Sequence, residues 1–468
     1  MTIEAGPISD RNFLEQYFEQ RWDNQKDADT GIEFKRTFDN QSLALSIDYD
    51  PNEFFMRTQQ LPRLDYYNLG TSLFGDRATF YMHASGAYMD QRAASTPLAP
   101  QDANTTIPLP YEGNFSGERF AIRPGIELPI PIMDEFKVVP FAMGEAAHWG
   151  EALDGQSLDR LYGQAGVRTS LPFTAVYPEI ASDLFYVNGL AHKTSLDFEY
   201  SYTDANKNLD ELAIYDEIDD NNTQHFRRRL IQQDFPGLTQ TPTRFDERFY
   251  GVRRGLMNNV TGPTEIADDL QVFRIDWRNR LQTKRGPQQN RRIVDWVLFD
   301  VGFELYPDAD QNFGEHAGLL DYDFRWHVGD RLTLLSNGAF DFFVDGQSEF
   351  TAGVLLGRPT RTNLYLAYTK LGGPVERDIL TGSMSYRFSP KWLGSVGAVW
   401  DMSDNGYFNK MFTLTRIGES FLVSFSFTGD ETRDNVGATL WIEPRFMSMG
   451  KGSRRPLEVP VAGQFGLE

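Results

Sequence analysis

The side chains that could do chemistry in this chain are six histidines and a large surplus of carboxylates, with no cysteine at all. Without thiols there can be no disulfide, no thiolate metal site and no cysteine nucleophile. His83, His148, His192, His225, His316 and His327 are scattered, and none falls at metal-ligand spacing such as His-Glu-x-x-His. Neither a Gly-x-Ser-x-Gly elbow nor a phosphate-binding glycine loop occurs. Asp321 and Asp323 stand two apart, which in a strand puts both carboxylates on one side. General acid–base work would need them in a cleft, whereas a hydrated wall needs nothing more. The expectation is a protein that is not an enzyme and uses no cofactor or metal.

Charge placement says more than catalytic motifs do. Arg274, Asp276, Arg278 and Arg280 alternate with Phe273, Ile275, Trp277 and, beyond Asn279, Leu281. Asp300 and Glu304 alternate with Phe299, Val301, Phe303 and Leu305, and Asp321, Asp323 and Arg325 alternate with Leu320, Tyr322, Phe324 and Trp326. Charged groups facing lipid cost roughly 2–4 kcal/mol each near the bilayer midplane for Arg or Lys. These nine charged residues are therefore expected on the wall of a hydrated interior, opposite an aromatic outer face. The run Arg227-Arg228-Arg229 suits bidentate contact with phosphate or carboxylate groups of a glycolipid, or else neutralises the acidic run Asp216-Glu217-Ile218-Asp219-Asp220.

The elements that must position these residues are strands. A period of two places alternate side chains on opposite faces of a strand, and the period recurs for ten or more residues at a time. Leu43, Leu45, Ile47 and Tyr49 oppose Ser42, Ala44, Ser46 and Asp48. Leu196, Phe198, Tyr200 and Tyr202 oppose Ser195, Asp197, Glu199 and Ser201, and Phe421, Val423, Phe425 and Phe427 oppose Leu422, Ser424, Ser426 and Thr428. Turn signals at Val328-Gly329-Asp330, Asp345-Gly346-Gln347, Ser389-Pro390-Lys391 and Ile417-Gly418-Glu419 separate the later strands. The pattern predicts an all-β fold: a large antiparallel up-and-down transmembrane β-barrel of about 20 strands, as a whole or an incomplete barrel.

Composition agrees. Only 40% of the 468 residues are hydrophobic, as expected when lipid meets every second strand residue, and aromatics reach 14%. No run approaches the roughly 18 apolar residues of a membrane helix. A net charge of −21 argues against a nucleic-acid partner. The barrel is expected over residues 1–446, with a long extracellular loop at 204–269 and a polar tail at 447–468. Residues 90–116 read as a second exposed loop, and the first 30 residues are open between strand and amphipathic helix. Met1 to Asp10 has neither a basic n-region nor an apolar h-region, so no signal peptide is read there. Export to an outer membrane then implies a mature segment, a fragment or a different gene start.

Ile8-Ser9-Asp10-Arg11-Asn12-Phe13-Leu14 resembles a Ser-Asp-x-x-Phe-Leu segment in the barrel of the LptD family, the lipopolysaccharide-assembly or organic-solvent-tolerance proteins of Gram-negative outer membranes. Gln59-Gln60-Leu61-Pro62-Arg63-Leu64 is similar to that family's Arg-Leu-Pro-x-Leu element. Gly117-Glu118-Arg119-Phe120, with Arg123-Pro124, Leu128-Pro129, Pro131 and Val139-Pro140, resembles its spaced Gly-x-Arg and proline pattern. Gly189-Leu190-Ala191-His192 is loosely similar to a later Leu-x-His element. The resemblance spans residues 8 to 203 and rests on order and spacing.

It implies lipopolysaccharide, or a related glycolipid, as cargo, delivered to the outer leaflet through a polar lumen and a lateral seam. Implied partners are periplasmic lipid-bridge proteins, an LptE-like lipoprotein plug and outer-membrane lipid. The family's N-terminal jelly-roll domain and its cysteines have no counterpart here. The retained side of the seam would be the last strand, with Gly437, Thr439, Trp441 and Pro444. Pro444 lacks a backbone donor, which would either help the seam open at one end or merely end the strand. The alternatives are an outer-membrane porin or substrate-specific channel, and a surface β-sheet protein that binds glycans.

Overall fold

A computed structural model describes the chain except residues 19–21, 23–26, 96–110, 134–135, 235–245, 254–263, 345, 359–360, 374–375, 404–405, 432–434 and 445–468. The described residues form one antiparallel sheet of 21 strands. The expected all-β, up-and-down fold class is thus observed. The early strands are β1 (Thr2–Glu4), β2 (Gly31–Phe38), β3 (Gln41–Asp48), β4 (Arg57–Leu73), β5 (Ala78–Arg92) and β6 (Phe115–Glu127). They continue with β7 (Ile130–Pro131), β8 (Lys137–Trp149), β9 (Leu158–Ser182) and β10 (Val187–Ala205). The later ones include β11 (Leu270–Arg285), β12 (Arg292–Leu305), β13 (Ala317–His327) and β14 (Leu332–Phe340). Next come β15 (Ser348–Arg358), β16 (Thr362–Gly372), β17 (Arg377–Ser389) and β18 (Trp392–Asp401). β19 (Gly406–Ile417), β20 (Phe421–Asp430) and β21 (Asn435–Pro444) end the series.

Alternation and turn chemistry explain most of these boundaries. The turns read at Gly329, Pro390 and Gly418 each lie between two consecutive strands. Pro390 sits between β17 and β18, where its fixed φ and missing donor disturb no ladder. Among the described residues three α-helices interrupt the strands: α1 (Phe13–Tyr17), α2 (Asn221–Asp234) and α3 (Glu247–Arg253). Of the first 30 residues, the described ones hold β1 and the short helix α1. The tail expected at 447–468 lies outside the described residues, as does most of the 90–116 loop.

The chain divides into two compact units. The first comprises Met1–Ser170, Phe198–Phe273 and Tyr306–Gly314; the second comprises Leu171–Asp197, Arg274–Leu305 and Glu315–Glu468. In the first unit the strands are inverted relative to a water-soluble protein. On β2, β3 and β4 the aligned pairs Ile32/Ile47, Phe34/Leu45 and Leu45/Leu64 make one face, and all five of these residues are exposed. Phe120 and Ile122 on β6 are exposed on the same face, opposite Gly86 and Ala84. The opposite face of those strands holds Arg63, Asp65, His83, Arg119 and Arg123, and the last four of these are buried.

The core therefore lies on the charged side, where the described parts of residues 206–269 pack. Leu209, Leu212, Ala213, Ile214, Tyr215, Ile266 and Ala267 from that segment are each at most 2% exposed. Ala121 on β6 aligns with Ala147 on β8, and with Ala87 on β5 they form one cluster with Met89, Trp149, Leu212, Ala213 and Tyr215. Small strand residues at these positions leave room for the segment to close in. Residues 204–269 were expected as an extracellular loop; their described part lies against the polar face of the first unit's strands. Burial of the apolar stretch Leu212-Ala213-Ile214-Tyr215 rewards that placement, and exposure in an outer loop would forfeit it.

Candidate functional site

The polar face of the first unit is a charge network built from strands and covered by the described parts of residues 206–269. Arg63 on β4 holds Asp65 through Nε at 2.6 Å and Nη2 at 3.1 Å, and donates Nη1 to Asp216 at 2.6 Å. Arg119 on β6 donates Nη1 to Asp216 at 2.7 Å and to Glu265 at 2.6 Å. Asp216 thus bridges two strand arginines, while Glu265 secures the far end of the same segment to one of them. One row further along, Glu145 on β8 accepts from Arg123 at 2.7 Å and from Arg160 on β9. Arg160 also donates to the backbone oxygen of Thr264. His83 contacts Asp65 at 2.8 Å and stacks on Tyr67 with ring centres 4.2 Å apart.

Such burial of charge is tolerable because each buried guanidinium meets at least one carboxylate, although Nε and Nη2 of Arg119 and Nε and Nη1 of Arg160 make no hydrogen bond. Burial opposes ionisation of Asp216, and the Arg119 and Arg63 guanidiniums override it, holding that carboxyl well below the usual range. Burial, helped by neighbouring Asp216, pushes Glu265 the other way despite Arg119. At the edge of the segment, burial raises Glu217 to about 7 although Arg57 lies 3.1 Å away. Asp27 rises to about 6 for the same reason, in a cluster that also contains Asp29 and Asp220. The N-terminal residues clamp this edge: Asp27 accepts from the backbone N–H of Asn221 at 3.1 Å, and Asn222 Nδ2 donates to the carbonyl of Trp22 at 2.8 Å.

The nine residues expected on a polar wall do share a face in the second unit. The register sets Asp300 opposite Asp323 and Gly302 opposite Asp321. Gly302 has no side chain because a Cβ there would meet Oδ1 of Asp321 at 2.8 Å and Oδ1 of Asp276 at 2.9 Å. Arg274 pairs with Glu304 at 3.4 Å, Arg278 with Asp197 at 3.4 Å, and Arg325 with Asp323 at 3.1 Å. Arg280 reaches Asp295 at 3.8 Å. The side chains of Arg278, Arg280 and Arg325 are 64%, 54% and 59% exposed, so these pairs sit in water and hold weakly.

The anticipated seam residues divide between faces. Gly437, Thr439 and Trp441 align with Thr428, Ser426 and Ser424 on the polar side of β20, whereas Pro444 aligns with Phe421 on the apolar side. The anion contact expected of the basic run is corrected. Arg227 is bound to Asp219 and, at 2.6 Å, to Glu247, and Arg228 pairs with Glu112 at 2.9 Å with its side chain only 7% exposed. The neutralising reading of that run holds for Arg227 through Asp219, whereas Arg228 is neutralised by Glu112, outside the acidic run; the side chain of Arg229 lies outside the described residues. Among the described residues no group of His, Asp or Glu is placed to hold a metal ion.

Sequence reading missed the first unit's network, that is Arg63, Arg119, Arg123, Glu145, Arg160, Asp216 and Glu265. One signal was present: Arg119 and Arg123 lie four apart on a strand whose other face carries Phe120 and Ile122. Charge at that depth demands partners, and the acidic run from Asp216 contains one.

No family model and no curated protein matches the chain. Solved structures give distant similarities. The siderophore receptor PirA from Acinetobacter baumannii aligns over 90% of this chain and 71% of its own, with 7% identity and a TM-score of 0.37. The ferric enterobactin receptor PfeA from Pseudomonas aeruginosa aligns over 86% and 65%, with 6% identity and a TM-score of 0.37. FpvA of P. aeruginosa bound to heterologous pyoverdines aligns over 88% and 62%, with 9% identity and a TM-score of 0.28. The chain spans less than two thirds of the PfeA and FpvA chains.

Proposed function

We propose that this chain is an outer-membrane β-barrel that assembles lipopolysaccharide, or a related glycolipid, in the outer leaflet. One observation carries the membrane reading: the same strands present exposed Leu, Ile and Phe on one face and buried, ion-paired Arg, Asp and Glu on the other. Lipid would solvate the first face, and strand pairing satisfies the backbone within the sheet. The cargo reading rests on the residues that resemble the lipopolysaccharide-assembly family. Arg63, Arg119 and Arg123 belong to those elements, and they are the arginines the fold spends on its internal network.

The mechanism would be passage rather than reaction. The acyl chains leave sideways into the membrane, and the sugar follows hydrated polar faces such as that of β11–β13. Periplasmic bridge proteins would feed the barrel. A second reading, a substrate-specific channel, is favoured by the segment that folds inward onto the polar face, since such a segment would narrow a diffusion pore.

Depletion of the protein in its own cell, with outer-leaflet glycolipid measured by surface labelling, tests the choice. Loss of surface glycolipid with accumulation in the periplasm supports assembly. Normal surface glycolipid, together with solute-selective current from purified protein in planar bilayers, supports the channel and defeats assembly.

A further inference from the structure

We propose that residues 206–234, 246–253 and 264–269 are a resident plug that stays seated while cargo moves, so that cargo sugars meet the polar face of β11–β13 and not that of β4–β9. The inference rests on the transport reading above and adds the route and the fixed part.

The segment is held like a domain core, not like a lid. Its two ends are tied by separate anchors: Asp216 to Arg63 and Arg119, and Thr264 and Glu265 to Arg160 and Arg119. Immediately before the first anchor, Leu212 and Tyr215 are completely buried among strand residues whose small partners, such as Ala87 and Ala147, fit them. A lid poised to open exposes little apolar surface when it leaves; this segment would expose all of it.

The two polar faces also differ in what a saccharide could touch. Arg119 and Arg160 have side chains 0% exposed and are committed to buried carboxylates. Arg278 and Arg325 are 64% and 59% exposed and bound only through solvated pairs. Exposed pairs exchange partners at small cost, so phosphate or carboxylate groups on a sugar can borrow these arginines in passing. A separate plug protein would find the described polar face of the first unit already filled.

The absence of native cysteine allows a clean test. Ala213→Cys would be combined in turn with Ala87→Cys, Ala121→Cys and Ala147→Cys, and the pair that oxidises in the folded, full-length protein would be retained. Locking should leave surface glycolipid delivery, and ion current through the purified protein, within twofold of the reduced form. A tenfold fall in delivery on oxidation, reversed by reductant, would overturn the proposal and make the segment a gate.

A photocrosslinking residue at position 278 or 325 should capture glycolipid in cells, and one at position 63 should not. Capture at 63 with none at 278 or 325 also overturns the proposal. If depletion leaves surface glycolipid normal, the cargo reading fails alone. The current of locked and reduced protein then still decides whether the segment is fixed.

Discussion

Removing the Asp216 carboxylate is the sharpest test of how the inward segment is held. In Asp216→Ala, Arg63 keeps its two-bond contact with Asp65, and Arg119 keeps Glu265 at 2.6 Å. Neither arginine is stripped bare, so the loss is smaller than the 3–5 kcal/mol of a buried pair broken outright; about 2–4 kcal/mol is expected. Arg119, with a side chain 0% exposed, carries most of it. The effect falls on opening of the segment rather than on the strands.

Hydrogen exchange of purified protein in detergent reads this directly, because exchange rates scale with the opening equilibrium of the local unit. Amides of residues 209–216 should exchange roughly 30- to 1,000-fold faster, at 1.36 kcal/mol per decade. Amides in β13–β18 should be unchanged. Lys207→Ala breaks the exposed pair with Glu211 in the same segment and should move nothing, which separates anchoring from mere mutation. Equal protection of residues 209–216 in wild type and Asp216→Ala would refute the view that the arginine bridge holds the segment.

The pH dependence has a definite sign. Glu217 and Asp27 titrate at about 7 and about 6 in the fold, above their ordinary 4.5 and 3.8, so the folded state binds protons the unfolded state has released. Protection of the edge where Asn221 meets Asp27 should therefore weaken as pH rises from about 5 through 7; hydrogen exchange corrected for its intrinsic pH dependence, showing no change or the opposite trend, would count against it. Leu440→Arg, on the exposed apolar face of β21, should cost about 2–4 kcal/mol in urea titrations of protein folded into vesicles, if that site lies near the bilayer midplane. Thr439→Arg, one residue away on the polar face, should cost far less, and equal costs would argue that the face does not meet lipid. Gly302→Ala must push apart Asp276 and Asp321, and should lower the unfolding midpoint in the same titration, whereas Gly406→Ala, with open space at its Cβ, should not.

Strand identity was legible because it is a local property. The period of two in Leu320–Val328, or in Phe421–Thr428, places side chains on faces without reference to anything distant, and the observed β13 and β20 follow it. The shared face of Arg274, Asp300 and Asp321 followed from the same alternation plus antiparallel neighbours. Where residues 206–269 go was not legible. A polar, charged stretch without period looks the same whether it projects into water or turns inward onto a charged wall. Its placement depends on Arg119 meeting Asp216 and Glu265, 97 and 146 positions away in the chain. Pairings that remote leave no local periodicity, because each partner contributes one residue and the geometry that joins them exists only once the strands are aligned. The same reason explains the basic run at Arg227: its composition suited an anion, and only the fold brought Asp219, Glu247 and Glu112 close enough to occupy Arg227 and Arg228 first.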